Sequence, residues 1–488
     1  MPLLLPAPPL SAATGVLIVL ILVSIFIVGS SGSNGPSQHG SKEELLYIYD
    51  WPGITSSFGK SRDKNEITTH YSNRGAGLAI NATMGIYNTD QYQLFSLMYH
   101  RALMDGKRRT LNPLLATSFL IPYDLATDAA YFRVNPKDGA SKQFDLRKCK
   151  QFPEVEKLLL ASEFFLRSGG RDHILIVGMN YAMDTYIMKP KCSAMLRLCG
   201  NCTKLSIDDY SFLYPNEGEG DVTAMIKGRN WMAVPFPANF HWTRHVERPF
   251  LWEHTNRSIV ASYIGSQDSY WVHARSMRRW LASMCNLNKD CVHRTYGKKN
   301  REASIGPGQQ DPHFRVSRES VFCYQPLGDL LTRKGLFDAL LYGCIPVTFD
   351  PLTASAMYIW HWPEKLWKQV VVEMKYSPRS KEDPTAYLKS LLQNNATDVF
   401  NRQQLLRHNA FKLQYALEGY VPNSSWPLDK AGTPHPDAYE IAMDQALGWH
   451  SGRLSRRRRA SVPECWGGGT VSPDDNTKCV HTLENKPS

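Results

Sequence analysis

The chain has 488 residues, 43% of them hydrophobic, and a formal net charge of +11 at pH 7. This length suggests two domains with additions, and the apolar content excludes a disordered or collagen-like chain. Part of the basic excess is local, in Arg453, Arg456, Arg457, Arg458 and Arg459, so it reads as a solvated charge block and not as a nucleic-acid surface. No zinc-finger spacing or RNA-binding signature accompanies it.

Residues 12–29 are uncharged and dominated by Val, Ile and Leu. At about 1.5 Å per residue they reach roughly 27 Å, close to the thickness of a bilayer core. That exceeds the ~7–15 apolar residues of a cleaved signal peptide. They are expected to be a signal anchor behind a short cytosolic tail, residues 1–11, with a cleaved signal as the alternative. Residues 30–44 begin Gly/Ser-rich and read as a stem. Glycosylation sequons at Asn81, Asn201, Asn256, Asn395 and Asn423 agree with a lumenal body.

Beyond the stem, residues 45–49 predict a first strand closed by Asp50, Pro52 and Gly53. A helix is expected from a Thr89 cap, with Asp90 in its first turn, Tyr92, Phe95, Tyr99 and Ala102 at helical spacing, and Gly106 as its stop. Residues 116–122 predict a strand, 154–168 a helix stopped by Gly169 and Gly170, and 173–177 a strand. The alternation restarts after the Pro-rich stretch 235–249. Strands are expected at 258–264, 320–323, 345–349 and 369–373, and helices at 271–284 and 332–342. Alternating strands and helices predict α/β domains with parallel sheets. The expected division is an N-terminal acceptor-side domain over 45–245, a nucleotide-binding domain over 246–425, and a tail over 426–488.

Of the ten cysteines, Cys285 with Cys291 and Cys465 with Cys479 are plausible local staples. Cys199 and Cys202 form a C-x-x-C. The Asn201 sequon between them favours a lumenal disulfide region over a metal pair.

The stretch from Ser320 to Pro351 carries the chemistry. It predicts strand, glycine loop, helix, strand. Gly328 permits a tight turn and close backbone approach. Thr332 and Arg333 fall at a helix start, where free N–H groups and a guanidinium suit a diphosphate. Asp338 is further along and could accept hydrogen bonds from two ribose hydroxyls. The bland reading of the same residues is a turn, a surface arginine and a helix ion pair.

The run Phe322, Cys323, Gln325, Pro326, Gly328, Asp329, Thr332, Arg333, Phe337, Asp338, Gly343, Cys344, Ile345, Pro346 and Val347 closely resembles the donor-site signature of exostosin-type glycosyltransferases, family 47. It looks most like their plant xyloglucan galactosyltransferase branch. Tyr47 to Asp50 with Pro52, Tyr87 to Tyr92, Gly170 to His173, Ala233 to Pro237 and Trp360 to Pro363 are similar to that branch in the same order. Tyr324, Leu327 and Tyr342 depart from its pattern.

The resemblance implies a GT-B architecture, two Rossmann-like domains facing across a cleft, and an inverting transfer from a UDP-sugar to an oligo- or polysaccharide acceptor. UDP-galactose is the first donor expected, with uronosyl or pentosyl donors as alternatives. A Golgi type II membrane protein follows, with other glycosyltransferases as partners. No Asp-x-Asp stands at a strand end, so no metal is required. Asp172 and His173 are the candidates for the catalytic base, against the simpler reading that they brace the Gly169–Gly170 turn. Trp360 and Trp362 are candidates to stack on the acceptor sugar. A catalytically silent glycan-binding subunit is the alternative of another class, and the intact Gly328, Arg333 and Asp338 argue against it.

Overall fold

A computed structural model describes residues 43–454 except 57, 59–70, 130–148, 179–189, 209–229, 247–256, 270–271, 296–311, 329–330, 351–352, 355–356, 377–381 and 423. Two parallel sheets organise these residues, both within the compact unit Glu43–Ser488.

The N-terminal sheet is built from β1 (Leu46–Ile48), β4 (Arg109–Thr110), β5 (Ser118–Leu120), β6 (His173–Val177), β7 (Thr203–Ser206) and β8 (Trp231–Ala233). A small antiparallel hairpin, β2 (Leu78–Asn81) with β3 (Ile86–Asn88), lies apart from it. The order is β4-β1-β5-β6-β7-β8, every pairing parallel. The run HILIV of β6 is buried at every position, as expected of a parallel strand covered on both faces.

The C-terminal sheet joins β9 (Ile259–Ile264), β10 (Cys291–Arg294), β11 (Ser320–Gln325), β12 (Ile345–Thr348) and β13 (Val372–Glu373) in the order β10-β9-β11-β12-β13, again all parallel. Cys323 of β11 is bonded to Cys344, just before β12. Closing a loop of this size contributes about 3 kcal/mol in the chain-entropy account. Cys285 and Cys291 are bonded as expected.

Four local readings need correction. The strand expected over 369–373 is only Val372–Glu373, because Glu364–Val370 form a helix. The single helix expected over 154–168 is two, Phe152–Leu160 and Glu163–Ser168. Ser162 is extended and its side chain accepts from Phe165 N–H, so a cap residue restarts the helix. Thr89 does not cap a helix. Its hydroxyl meets Ala76 O and His241 Nε2, and the helix begins at Leu94. Residues 426–454, expected in a tail, are folded, with a helix at Ala438–Ser451. Asp437 caps that helix, and its last turn returns to the N-terminal sheet. There His450 bonds Ser118 and Thr203, the first residues of β5 and β7.

The two sheets meet through their carboxyl ends. Tyr358, beyond β12, donates to the carbonyl of Ile207, beyond β7, at 2.8 Å. Phe236, beyond β8, packs on Phe337 at 5.9 Å. Lys334 Nζ reaches Asn239 Oδ1 at 2.8 Å, and Asn239 N–H donates to Asp338 Oδ1 at 2.9 Å. The carboxyl edges therefore lie opposite one another, the geometry of a ligand cleft.

Candidate active site

The order of the C-terminal sheet reverses between β9 and β11, which places its ligand crevice outside the carboxyl ends of those strands. Arg333 sits there. It is the extended N-cap of the helix Lys334–Leu341, whose start carries no side-chain cap. Its Nη2 donates to Ile264 O, the last residue of β9, at 2.8 Å. Its Nη1 is buried and has no hydrogen-bond partner. Thr332 Oγ1, on a residue only 2% exposed, and Gln325 Oε1, at the end of β11, are likewise buried and unpaired. Such atoms cost about 1–3 kcal/mol each unless something else pairs them. Their convergence with a guanidinium and uncapped helix N–H groups suits an anionic, oxygen-rich ligand such as a nucleoside diphosphate.

Two glycines make room for this arrangement. A Cβ on Gly265, just after β9, would lie 2.4 Å from Arg333 Nη2. A Cβ on Gly328 would lie 2.0 Å from the carbonyl oxygen of Thr332. Arg278, on the helix Val272–Leu287, ties the same two loops together. Its Nε donates to Leu327 O at 2.9 Å and its Nη1 to Asp268 O at 2.6 Å. In the sequence Gly265 reads only as the end of a strand and Arg278 only as part of a basic helix, with no site role for either. The glycine closing an apolar strand, followed by a basic helix, is the signal that could have found them.

Asp338 differs from expectation. Both carboxylate oxygens accept from Lys334 Nζ, at 3.0 and 2.8 Å, and Oδ1 also accepts from Asn239 N–H. It joins the two halves of the chain instead of presenting a bare carboxylate to a ribose.

His173 and Asp172 are not a catalytic pair in this geometry. They stand at the amino end of β6, opposite to the cleft edge. His173 is 0% exposed. Its Nδ1–H donates to Asp172 at 2.6 Å and its Nε2 meets the Tyr49 hydroxyl at 2.8 Å. Its ring stacks on Phe119 and Tyr49. A base must reach the proton it removes, and no face of this imidazole meets solvent. Burial raises the Asp172 carboxyl, but bonds from His173 and Ser168 outweigh it and hold it below the ordinary range. The pair braces the core beneath β1.

Trp362 is also structural. It is 0% exposed and its indole N–H donates to Asn409 O at 2.9 Å. Trp360 is half-buried, edge-on to Trp449. Asn81, Asn201 and Asn395 are exposed, while Asn256 and Asn423 fall outside the described residues. Cys199 and Cys202 are buried free thiols, not a disulfide. Cys465, Cys479 and residues 12–29 lie outside the described residues. Among those described, no helix is long and apolar enough to cross a membrane. Also among them, no group of three or more His, Cys, Asp or Glu could hold a metal ion.

Two parallel sheets with opposed carboxyl edges and a crevice outside the strand ends define an α/β cleft fold. Residues 41–393 match the exostosin GT47 domain, and the chain belongs to that family of glycosyltransferases. It is similar to two probable xyloglucan galactosyltransferases of Arabidopsis thaliana. One is 26% identical over 66% of this chain and 59% of its own length, the other 25% identical over 86% of each. It is also 26% identical to the xyloglucan-specific galacturonosyltransferase 1 of the same plant, over 74% of this chain and 54% of that protein. The chain thus spans little more than half the length of some of these relatives. The solved pneumococcal O-GlcNAc transferase GtfA, in complex with UDP and GlcNAc, aligns at a TM-score of 0.28 and 8% identity, over 57% of this chain and 63% of that one. That likeness is too slight to carry an argument.

Proposed function

We propose that this chain is a GT-B glycosyltransferase that moves a hexosyl group, galactose from UDP-galactose first, onto a polysaccharide or glycan with inversion at the anomeric carbon. The observation that carries this reading is the convergence of Arg333, Thr332 and Gln325 on the β9/β11 crevice, each with a buried polar atom left unpaired. Arg333 and the first-turn N–H groups of Lys334–Leu341 bind the diphosphate and stabilise its charge as it leaves. The acceptor lies against the N-terminal sheet. Galactose is favoured by what two relatives are named for. A uronosyl donor is the second reading, favoured by the galacturonosyltransferase among the relatives. Residues 12–29 anchor the chain in the Golgi membrane with its body in the lumen, a placement supported by their uncharged apolar run.

The test uses the full chain in detergent with UDP-galactose, UDP-glucuronate, UDP-galacturonate, UDP-xylose and UDP-arabinose, with and without EDTA. Turnover of one donor that survives EDTA and is lost in Arg333→Ala is the expected result. Failure of every UDP-sugar and of UDP itself to bind overturns the reading.

A further inference from the structure

An inverting transfer needs a group to take the acceptor proton, and the pair suggested by sequence lies at the wrong end of its strand. The N-terminal sheet reverses its order between β1 and β5, so its crevice opens outside the carboxyl ends of those two strands. Asp50 is the second residue past β1 at that place, and it is exposed. Its neighbours are anchored. Tyr49 and Trp51 are 7% and 8% exposed, with rings stacked at 4.8 Å. The Tyr49 hydroxyl is held by Ser162 at 2.9 Å and by His173. Tyr47 meets Tyr49 at 5.8 Å on the same side. Alternation along an extended chain turns Asp50 away from this stack. Pro52 then opens the turn Pro52–Thr55 and fixes the direction of the chain.

Of the other described acids and imidazoles near this edge, five are engaged or deeply buried, and part-buried His100 has its unpaired Nε2 enclosed from solvent. Asp124, past β5, is 4% exposed and accepts from the hydroxyls of Tyr71 and Thr127 and from Thr127 N–H. Asp128 accepts from the Tyr123 hydroxyl and from the N–H groups of Lys150 and Gln151. Asp208 is 1% exposed and stands past β7, three strands from β1. Asp90 accepts from Tyr92 N–H within its own turn. His241 is 0% exposed, its ring nitrogens directed at Tyr415 O and Thr89.

We propose that Asp50 is the general base of the transfer, an inference that rests on the transferase reading above. Its carboxylate takes the proton of the acceptor hydroxyl while that oxygen bonds to the anomeric carbon. The bond from that carbon to the diphosphate oxygen breaks, and its electron pair leaves with UDP. The proton then passes to solvent. The network Asp172–His173–Tyr49 gains a role here, positioning the strand end that carries the base.

The experiment uses the full chain in detergent, UDP-galactose as donor, xyloglucan oligosaccharides as acceptor, and calorimetry with UDP. Asp50→Asn and Asp50→Ala are expected to lower transfer about 100-fold or more with UDP affinity unchanged. Azide needs no deprotonation. It should restore UDP release to Asp50→Ala and yield galactosyl azide, its nitrogen bonding to the anomeric carbon as UDP departs. Transfer by Asp50→Asn within about threefold of wild type overturns the proposal, since loss of a general base costs at least ~100-fold. So does loss of transfer together with loss of UDP binding, or without azide rescue. A wild-type chain that binds no UDP overturns the transferase reading itself, which is a different result.

Discussion

At the carboxyl edge of the C-terminal sheet, Gln325, Thr332 and Arg333 each keep a buried polar atom without a partner, whereas beneath the N-terminal sheet Tyr49, Asp172 and His173 bond to one another. Both clusters are polar, and both matched the family pattern in sequence. Their difference lies in whether the hydrogen bonds close. A closed buried network stabilises a fold and asks nothing of a ligand. An open one destabilises the fold by about 1–3 kcal/mol per atom unless a ligand or ordered water completes it. The first cluster is therefore read as a binding site and the second as scaffolding.

The sharpest way to break that comparison is Arg333→Ala. Losing a charge-assisted pair with a diphosphate is expected to cost about 3 kcal/mol or more, roughly 100-fold in affinity. Calorimetric titration with UDP reads it. Arg333→Lys should recover only part, because an ammonium lacks the planar fork. Unchanged UDP affinity in Arg333→Ala would make the open cluster structural.

Gly265→Ala is a finer cut. The added methyl would meet Arg333 Nη2, the far end of a flexible side chain. The fold should survive with its thermal midpoint little changed while the guanidinium is pushed aside. UDP affinity is expected to fall about tenfold, roughly 1.4 kcal/mol. A fall in stability with unchanged affinity would show that the glycine serves the strand end and not the arginine.

The closed cluster should respond in the opposite sense. His173→Asn leaves Tyr49 and Asp172 short of partners, at a cost of about 1–3 kcal/mol. The thermal midpoint should drop by several degrees, while donor affinity per folded molecule stays as in the wild type. Loss of donor affinity at unchanged stability would return His173 to the functional set.

Sequence alone carried the elements around Arg333 well and the opposite edge poorly. The strand, glycine loop and helix around Arg333 are local in the chain, so periodicity and caps outlined them. Helix Lys334–Leu341 begins one residue past Arg333 and is followed by Gly343, with φ +73°, much as expected. The fate of His173 depended on which end of β6 it occupied and on contacts with Tyr49, 124 residues away. Neither is written in local pattern. Trp362 was misjudged for the same reason, since its partner Asn409 lies 47 residues on. The short strands β4, β7, β8 and β10 and the closing helix Ala438–Ser451 were missed because runs this short, or docked only by tertiary contacts, give little periodic signal.

The smallest expected effect concerns pH and tests whether closed contacts between distant segments are as inert as they look. Burial lowers the pKa of His241 to about 4, more than its bond to the Tyr415 carbonyl raises it. Burial likewise lowers His361 to about 4, despite a bond to the Ala438 carbonyl. In the unfolded chain both titrate near 6.5. Between about pH 6.5 and 4 the unfolded state thus binds more protons, and stability falls as pH falls. Lowering the pH from 7 to 5.5 should remove about 1 kcal/mol for each histidine. His361→Gln should flatten its share of the slope in denaturant melts taken across that window. His241 joins Thr89 to Tyr415 and lies near Lys334. Its protonation would therefore loosen the contact between the halves before the donor crevice itself is affected. A melt whose slope stays unchanged in both His361→Gln and His241→Gln would show that these imidazoles titrate in the folded chain as they do in the unfolded one.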